Sequence, residues 1–320
     1  MKKLLAFLLS LICCFTASGL YGCSNSVNLT FVAPDGAPAL AISKLICDKD
    51  RLSTNKNIDY NIVSAKEIQT YLSSGTADLV LAPVNLASKL YKASSQTDHY
   101  VMVAVITHGN FYIMSTKEIS ANDLSGETIA VPMQGAVPDW TMQMTLKKHN
   151  LFGSVNLEYY AEPSNIVPLI LSEAVSIGLI PEPAATNLVN KAQNQSKTIY
   201  RLDLQELYDS VQKSYPQAVL MVKKSVIENN PTLISTIETK IAESVGWAKT
   251  NTADAVSAIA NKIATTLSAS TLSAQAIDGC NIYWQSAISA KASVQAYIEG
   301  IREIDNTKAS QVQDDFFYIP

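Results

Sequence analysis

An α/β chain folded as two similar lobes, joined by two crossing strands, is predicted by three observations. The first is the stretch Ser74 to Ala87, which contains Leu79-Val80-Leu81-Ala82 between Gly75 and Pro83. A short apolar run bounded by Gly and Pro suits a strand buried on both faces. The second is an echo of that stretch 98 residues on, where Ser74, Leu81, Pro83, Ala87 and Leu90 are matched by Ser172, Leu179, Pro181, Ala185 and Leu188. The third is the alternation of β-rich runs with helical patterns from Val27 to about Val222, followed by segments that read as helices alone. Ligands of open α/β sheets lie beyond the carboxyl ends of the strands, which puts Val84, Asn85 and Leu86 where a ligand would sit, with Glu182 in the matching loop of the second copy.

The elements follow in order. Val27 to Ala33 is β-rich and runs into Pro34-Asp35-Gly36-Ala37-Pro38, after which Ala39 to Cys47 has helical spacing. Such a strand–loop–helix unit offers backbone N–H groups, so Asp35, Gly36, Ala37 and Pro38 are candidate ligand contacts. Ile58 to Val63 reads as a strand and Ala65 to Ser73 as a helix ending near Gly75. Val101 to Ile106 is an apolar strand leading to Thr107-His108-Gly109-Asn110, where the first crossing is expected, with His108 and Asn110 facing the cleft.

The second lobe repeats the logic. Thr128 to Pro132 reads as a strand, Gln134-Gly135-Ala136 as a Gly-bearing loop, and Pro138 as the start of a helix through His149. Trp140 near that start either stacks on a flat ligand or packs inside the lobe. Asn165 opens the helix after strand Val155 to Tyr160. Tyr200 to Asp203 is a short strand, and the second crossing is expected near Tyr215, ahead of the apolar run Pro216 to Val222. Everything from Pro231 onward reads as helices that pack without chemistry.

Composition narrows the function. The 320 residues are 48% hydrophobic and 16% charged with a net charge of −4, enough chain for two lobes and without a basic run that could hold nucleic acid. Lys2 and Lys3 followed by the apolar Leu4 to Phe15 read as an export signal, too short to span a membrane. Leu20-Tyr21-Gly22-Cys23 resembles a bacterial lipobox, making Cys23 the lipidated residue and 1–23 the leader. Export allows disulfides, but Cys47 and Cys280 lie among apolar residues, which favours two buried free thiols over a bridge. His99, His108 and His149 are scattered, with no spacing that suggests a triad or a metal site. No catalytic residue, metal or cofactor is expected.

Four segments recur together in a known family. Ala33 to Ala39, Ala82 to Ala87, Gln134 to Asp139 and Pro181 to Ala185, in that order behind a lipobox, are similar to the solute-binding lipoproteins of bacterial ABC importers. The branch is the one that includes sulfonate, taurine, nitrate and thiamine-pyrimidine binders. Cys280-Asn281-Ile282 and Asp314 to Tyr318 resemble the tail of a Firmicutes-type subgroup, although the Gly-Gly-Lys-Leu-Pro run that usually precedes that ending is absent.

The resemblance implies a type II periplasmic-binding-protein-like fold: lobe 1 from 24–109 and 216–320, lobe 2 from 110–215, closing about a hinge on a solute. It implies a monomer anchored by lipid on Cys23 to the extracytoplasmic face of the cell membrane, with permease and ATPase subunits as partners. The cleft loops carry Asp35, Asp139 and Glu182 but no Lys or Arg. That charge favours a nitrogen-bearing solute, such as an aminopyrimidine or a zwitterion, over a bare anion, with Trp140 or Tyr215 stacking on it. The alternatives are a lipid-anchored sensor or receptor of the same fold, or an enzyme of the thiamine-pyrimidine synthesis type. The latter would need a cysteine-rich motif and a reactive His that this chain lacks.

Overall fold

A computed structural model describes residues 28–320, apart from 53, 55, 94–97 and 271. The leader and Cys23 lie outside the described residues.

The chain opens with β1 (Leu29–Pro34), α1 (Ala37–Ala41), α2 (Ser43–Asp48), β2 (Ile58–Val63), α3 (Ile68–Ser74), β3 (Leu79–Pro83), α4 (Val84–Leu90) and β4 (Tyr100–His108). The single helix expected from Ala39 to Cys47 is two. Ile42 leaves helical geometry (φ −117°, ψ 11°) and its N–H donates to Ala39 O at 3.2 Å, one residue short of the α-helical partner. Every residue of β4 is buried, as its unbroken apolar run requires.

The second set is β5 (Phe111–Ser115), β6 (Thr128–Pro132), α5 (Val137–Lys148), β7 (Asn156–Tyr160), α6 (Pro163–Leu171), β8 (Ile177–Pro181), α7 (Ala184–Gln193), β9 (Tyr200–Asp203) and α8 (Leu204–Tyr208). Then come β10 (Pro216–Lys223), α9 (Lys224–Glu228), α10 (Leu233–Thr250), α11 (Thr252–Ala260), α12 (Ala274–Gly279), β11 (Ile282–Ser286) and α13 (Ala287–Ile304). β11 corrects the all-helical reading of the tail. Its five residues lack the flanking Gly/Pro pattern on the C-terminal side that marks a strand, and they run straight into α13.

The strands form two sheets, in the orders β11-β4-β10-β3-β1-β2 and β7-β6-β8-β5-β9. β1, β2 and β3 are parallel to each other, and β10 is antiparallel to both β3 and β4. In the second sheet β6 is parallel to β7 and β8, while β5 is antiparallel to β8 and β9. Sheet membership changes between His108 and Phe111 and again between Asp203 and Pro216.

One apolar core continues through both lobes, from Val32 and Val84 in the first to Trp140, Met142 and Leu179 in the second. α13 makes this possible. It packs across β4 and α4 in the first lobe and then along α5 in the second. Thr141 and Tyr297 share a hydroxyl hydrogen bond of 2.6 Å, and Lys147 pairs with Glu303 at 2.8 Å. Residues after α13 return to the first lobe, where Ser310 N–H donates to Ser88 Oγ at 3.1 Å.

Cys280 is buried and Cys47 exposed, both as free thiols. The expected burial of Cys47 fails because α2 turns Ser43, Leu45 and Ile46 inward and leaves Cys47 on its outer face. Among the described residues no helix is long and apolar enough to cross a membrane.

Candidate functional site

β4 leaves the first sheet at His108, pointing the same way as β1, β2 and β3, because both lie antiparallel to β10 or parallel to its neighbour. After the two residues Gly109 and Asn110, β5 enters the second sheet at Phe111, opposite Pro181 at the carboxyl end of β8. The carboxyl ends of the parallel strands of both sheets therefore face each other across the crossings. Asp35 and Asn85 follow the first set, and Gln134 and Glu182 the second.

The first crossing is held by its polar groups. Glu182 N–H donates to Asn110 O at 2.9 Å, and Gln217 Nε2 donates to Asn110 Oδ1 at 2.9 Å. Gly109 is required by a close approach: a Cβ there would stand 2.7 Å from Gln205 Cγ and 2.7 Å from Tyr215 Cε1. His108 is buried, its ring stacked on Tyr283 with centroids 3.6 Å apart and an interplanar angle of 4°. Its Nε2 lies 3.2 Å from Gln285 Oε1. Burial lowers the His108 pKa to about 4, only partly opposed by the hydrogen bonds to Gln285 and Asn281.

A histidine depressed in the fold takes its proton more readily when unfolded, so stability is lost as pH falls from 6.5 towards 4. With the folded value at about 4, the loss should reach roughly 3 kcal/mol. Urea unfolding of the protein and of His108→Gln across that range should differ by this slope, and parallel curves would refute it.

The other predicted residues divide. Asp35 is tied within its own lobe, accepting from Thr265 Oγ1 at 2.6 Å and Thr266 N–H at 3.1 Å. Gly36 (φ 96°) lets the chain turn into α1, where Ala37 and Pro38 stand in the first turn. Asn85 is buried, and among the described residues its Oδ1 has no hydrogen-bond partner. Asn165 is exposed and caps α6, accepting from Glu162 N–H at 3.0 Å.

Of the two readings of Trp140 the packed one holds, and the stacking role expected of Tyr215 is corrected. Trp140 is only 4% exposed, with Nε1 donating to Gly135 O at 2.9 Å, because α5 is covered on one side by its sheet and on the other by α13. Tyr215 is 2% exposed, packed between Phe111 and Tyr297, and its hydroxyl donates to Gln205 Oε1 at 2.8 Å. Neither offers an open face for stacking.

The charge expected around Glu182 is also corrected. Its carboxylate side chain is 1% exposed and accepts from Arg201 Nη2 at 2.6 Å, Thr186 Oγ1 at 2.8 Å and Thr186 N–H at 3.0 Å. Arg201 lies over the Tyr112 ring, 3.9 Å from its centroid. Glu182 meets the first lobe at Gly279, where a Cβ would be 2.9 Å from Glu182 Cγ.

Next to Gln134 and Gly135 a cavity of about 610 Å³ opens along α5 and β7, and Asp35, Asn85, Asn110 and Glu182 are not part of its lining. Lobe 2 lines it with Gln134, Gly135, Asp139, Trp140, Gln143 and Tyr159, with Phe152 at the rim. Ile304, the last residue of α13, and Asp305 and Lys308 after it form the facing wall. Buried Asp139 accepts from Gly135 N–H at 2.8 Å, Gln143 Nε2 at 2.7 Å and Tyr159 OH at 2.9 Å. Burial, with Asp139 adjacent, raises the Tyr159 pKa, so its hydroxyl stays a donor at neutral pH. The volume suits a small organic molecule. Of this set Gln134, Gly135 and Trp140 were expected. Gln143 could have been found from its i+4 spacing to Asp139, whereas nothing local in the sequence marks Lys308. Among the described residues no three His, Cys, Asp or Glu side chains group to hold a metal ion.

No family model and no curated protein matches the chain. Solved structures do. An ABC transporter structure from Parabacteroides distasonis is 17% identical with a TM-score of 0.74, covering 91% of this chain and 98% of its own. The fold is that of the type II periplasmic binding proteins. The periplasmic aliphatic sulphonate binding protein of Escherichia coli superposes at TM-score 0.65 and 13% identity over 92% of this chain and 94% of its own. The periplasmic nitrate-binding protein of Synechocystis PCC 6803 gives 0.59 and 12% over 88% and 82%.

Proposed function

We propose that this chain is the solute-binding component of an ABC importer. It captures a small nitrogen- or sulfur-containing solute between its lobes and hands it to permease and ATPase partners. The reading rests on one observation above others: a cavity of about 610 Å³ has walls from both lobes. A molecule there touches both lobes at once, so its binding energy is available to hold them together. The likeness in fold to sulphonate- and nitrate-binding proteins supports the same reading.

In this proposal the lobes divide at 109/110 and 215/216, the chain is a monomer, and lipid on Cys23 tethers it outside the cell membrane. Its binding role requires no catalytic group. Gln134, Gly135 and Asn85 belong to the solute-facing surface, while Glu182, Tyr215 and Asp35 hold the loops that present it.

A thermal-shift screen of small sulfur and nitrogen compounds, followed by small-angle scattering on hits, tests the proposal. At a hundredfold excess over Kd a true ligand adds about 2.7 kcal/mol of stability. The expected result is such a shift together with contraction of the particle. Binding that leaves the scattering unchanged and protects neither cavity wall from hydrogen exchange would overturn it.

A further inference from the structure

The two walls of the cavity differ in how their charges are cancelled. On the first-lobe side the chain turns after α13, with Asp305 N–H donating to Ile301 O at 2.9 Å. Asp305 Oδ1 accepts from Thr307 N–H at 2.9 Å and Thr307 Oγ1 at 2.7 Å. These bonds first, and then the positive charges of Lys308 and Lys89, hold the Asp305 carboxyl below the usual carboxylate range. The charges of that wall therefore cancel within the turn itself.

Asp139 on the opposite wall has no such counter-charge. It is 1% exposed, and among the described residues its carboxylate makes no ion pair. Neutral groups hold it: Oδ1 accepts from Gln143 Nε2 at 2.7 Å and Tyr159 OH at 2.9 Å, and Oδ2 accepts from Gly135 N–H at 2.8 Å. A carboxylate has about four acceptor positions, so one on Oδ2 is open, and a buried charge left uncompensated is costly. The N-terminus of α5 opposes a cation with roughly half a positive charge, which the full charge of Asp139 exceeds. Phe152, 55% exposed at the rim, and Ile304 on the facing wall offer apolar surface to a short alkyl stem, and an aromatic face attracts a cation. We infer that Asp139 is a specificity-determining residue that binds a protonated amine or guanidinium group of the solute through the open position on Oδ2. The inference rests on the proposed capture role and narrows the solute to an organic cation.

The test uses size-matched probes: butylammonium and butylguanidinium, with butanamide and butyrate as neutral and anionic controls. Backbone amide shifts of Gly135 and Gln143 are followed during titration of the full chain. The two cations should move these signals saturably and the controls should not. Butyltrimethylammonium, which carries the charge without an N–H, should bind about tenfold more weakly than butylammonium. Asp139→Asn should weaken both cations by about ten- to a hundredfold, the loss of one charge-assisted hydrogen bond. Tyr159→Phe withdraws a competing donor from the carboxylate, so it should bind both cations at least as tightly as the parent. That second variant keeps the question decidable should Asp139→Asn fail to fold.

Cations that leave both signals unmoved, butyrate that binds as tightly as butylammonium, or a folded Asp139→Asn that binds the cations like the parent overturns the inference. A Tyr159→Phe that loses the cations overturns it as well, because the phenol rather than the carboxylate would then be the contact. A solute from the screen that contracts the particle and ignores Asp139→Asn sinks only this assignment. Cations that titrate at Gly135 and Gln143 while no screened compound contracts the particle sink the capture role instead.

Discussion

Replacing Arg201 with methionine should lower the unfolding free energy by about 3 kcal/mol, measured by urea denaturation at neutral pH. Removing one partner of a buried pair costs about 3–5 kcal/mol because the other charge is left uncompensated. The lower end applies because the Arg201 side chain is 30% exposed while that of Glu182 is 1% exposed. The Thr186 hydroxyl and N–H would still hold the carboxylate, but neither carries a charge. Glu182→Met combined with Arg201→Met should recover much of the loss, since a pair replaced by apolar groups of similar volume is often neutral. A single variant as stable as the parent would show that the pair contributes nothing. Because Glu182 packs on Gly279 of the other lobe, the single variant should also change inter-lobe spacing, seen by scattering.

Tyr215→Ala should cost about 3–5 kcal/mol, as for other large buried aromatics. Its ring lies 6.3 Å from that of Phe111, 6.0 Å from that of Tyr297 and 5.1 Å from that of Tyr208, joining the first crossing, α13 and α8. Truncation empties a space that the sheets on either side cannot both fill. Tyr215→Phe keeps the ring and deletes only the hydroxyl bond to Gln205, so about 1 kcal/mol is expected. Near-equal losses for the two variants would mean that the hydroxyl, rather than the stack, holds the crossing.

Much of the layout was legible because it is written in local apolar runs. β3 and β8 are short hydrophobic stretches closed by proline, and β4 is buried along its whole length, so the strand ends and the loops beyond them could be placed. What could not be read was pairing between distant segments. Arg201 sits on a short edge strand with no local sign that Glu182 lies beside it. Trp140 was placed near its helix start, yet α5 is buried on nearly every side, so the usual division into a wet and a dry face is lost. β11 is five residues long and α13 looks like any amphipathic helix. Periodicity says which residues are buried and is silent on what buries them, which is why the C-terminal wall of the cavity went unseen.

The route of α13 restricts how this molecule can gape. A helix rooted beside one sheet and laid along the other acts as a strut, so the halves cannot simply swing apart on the two linking strands. The two helices meet closely at Gly300, where even a methyl group would stand 2.5 Å from Met144 Sδ. A side chain there would prise the strut away from the second sheet's helix.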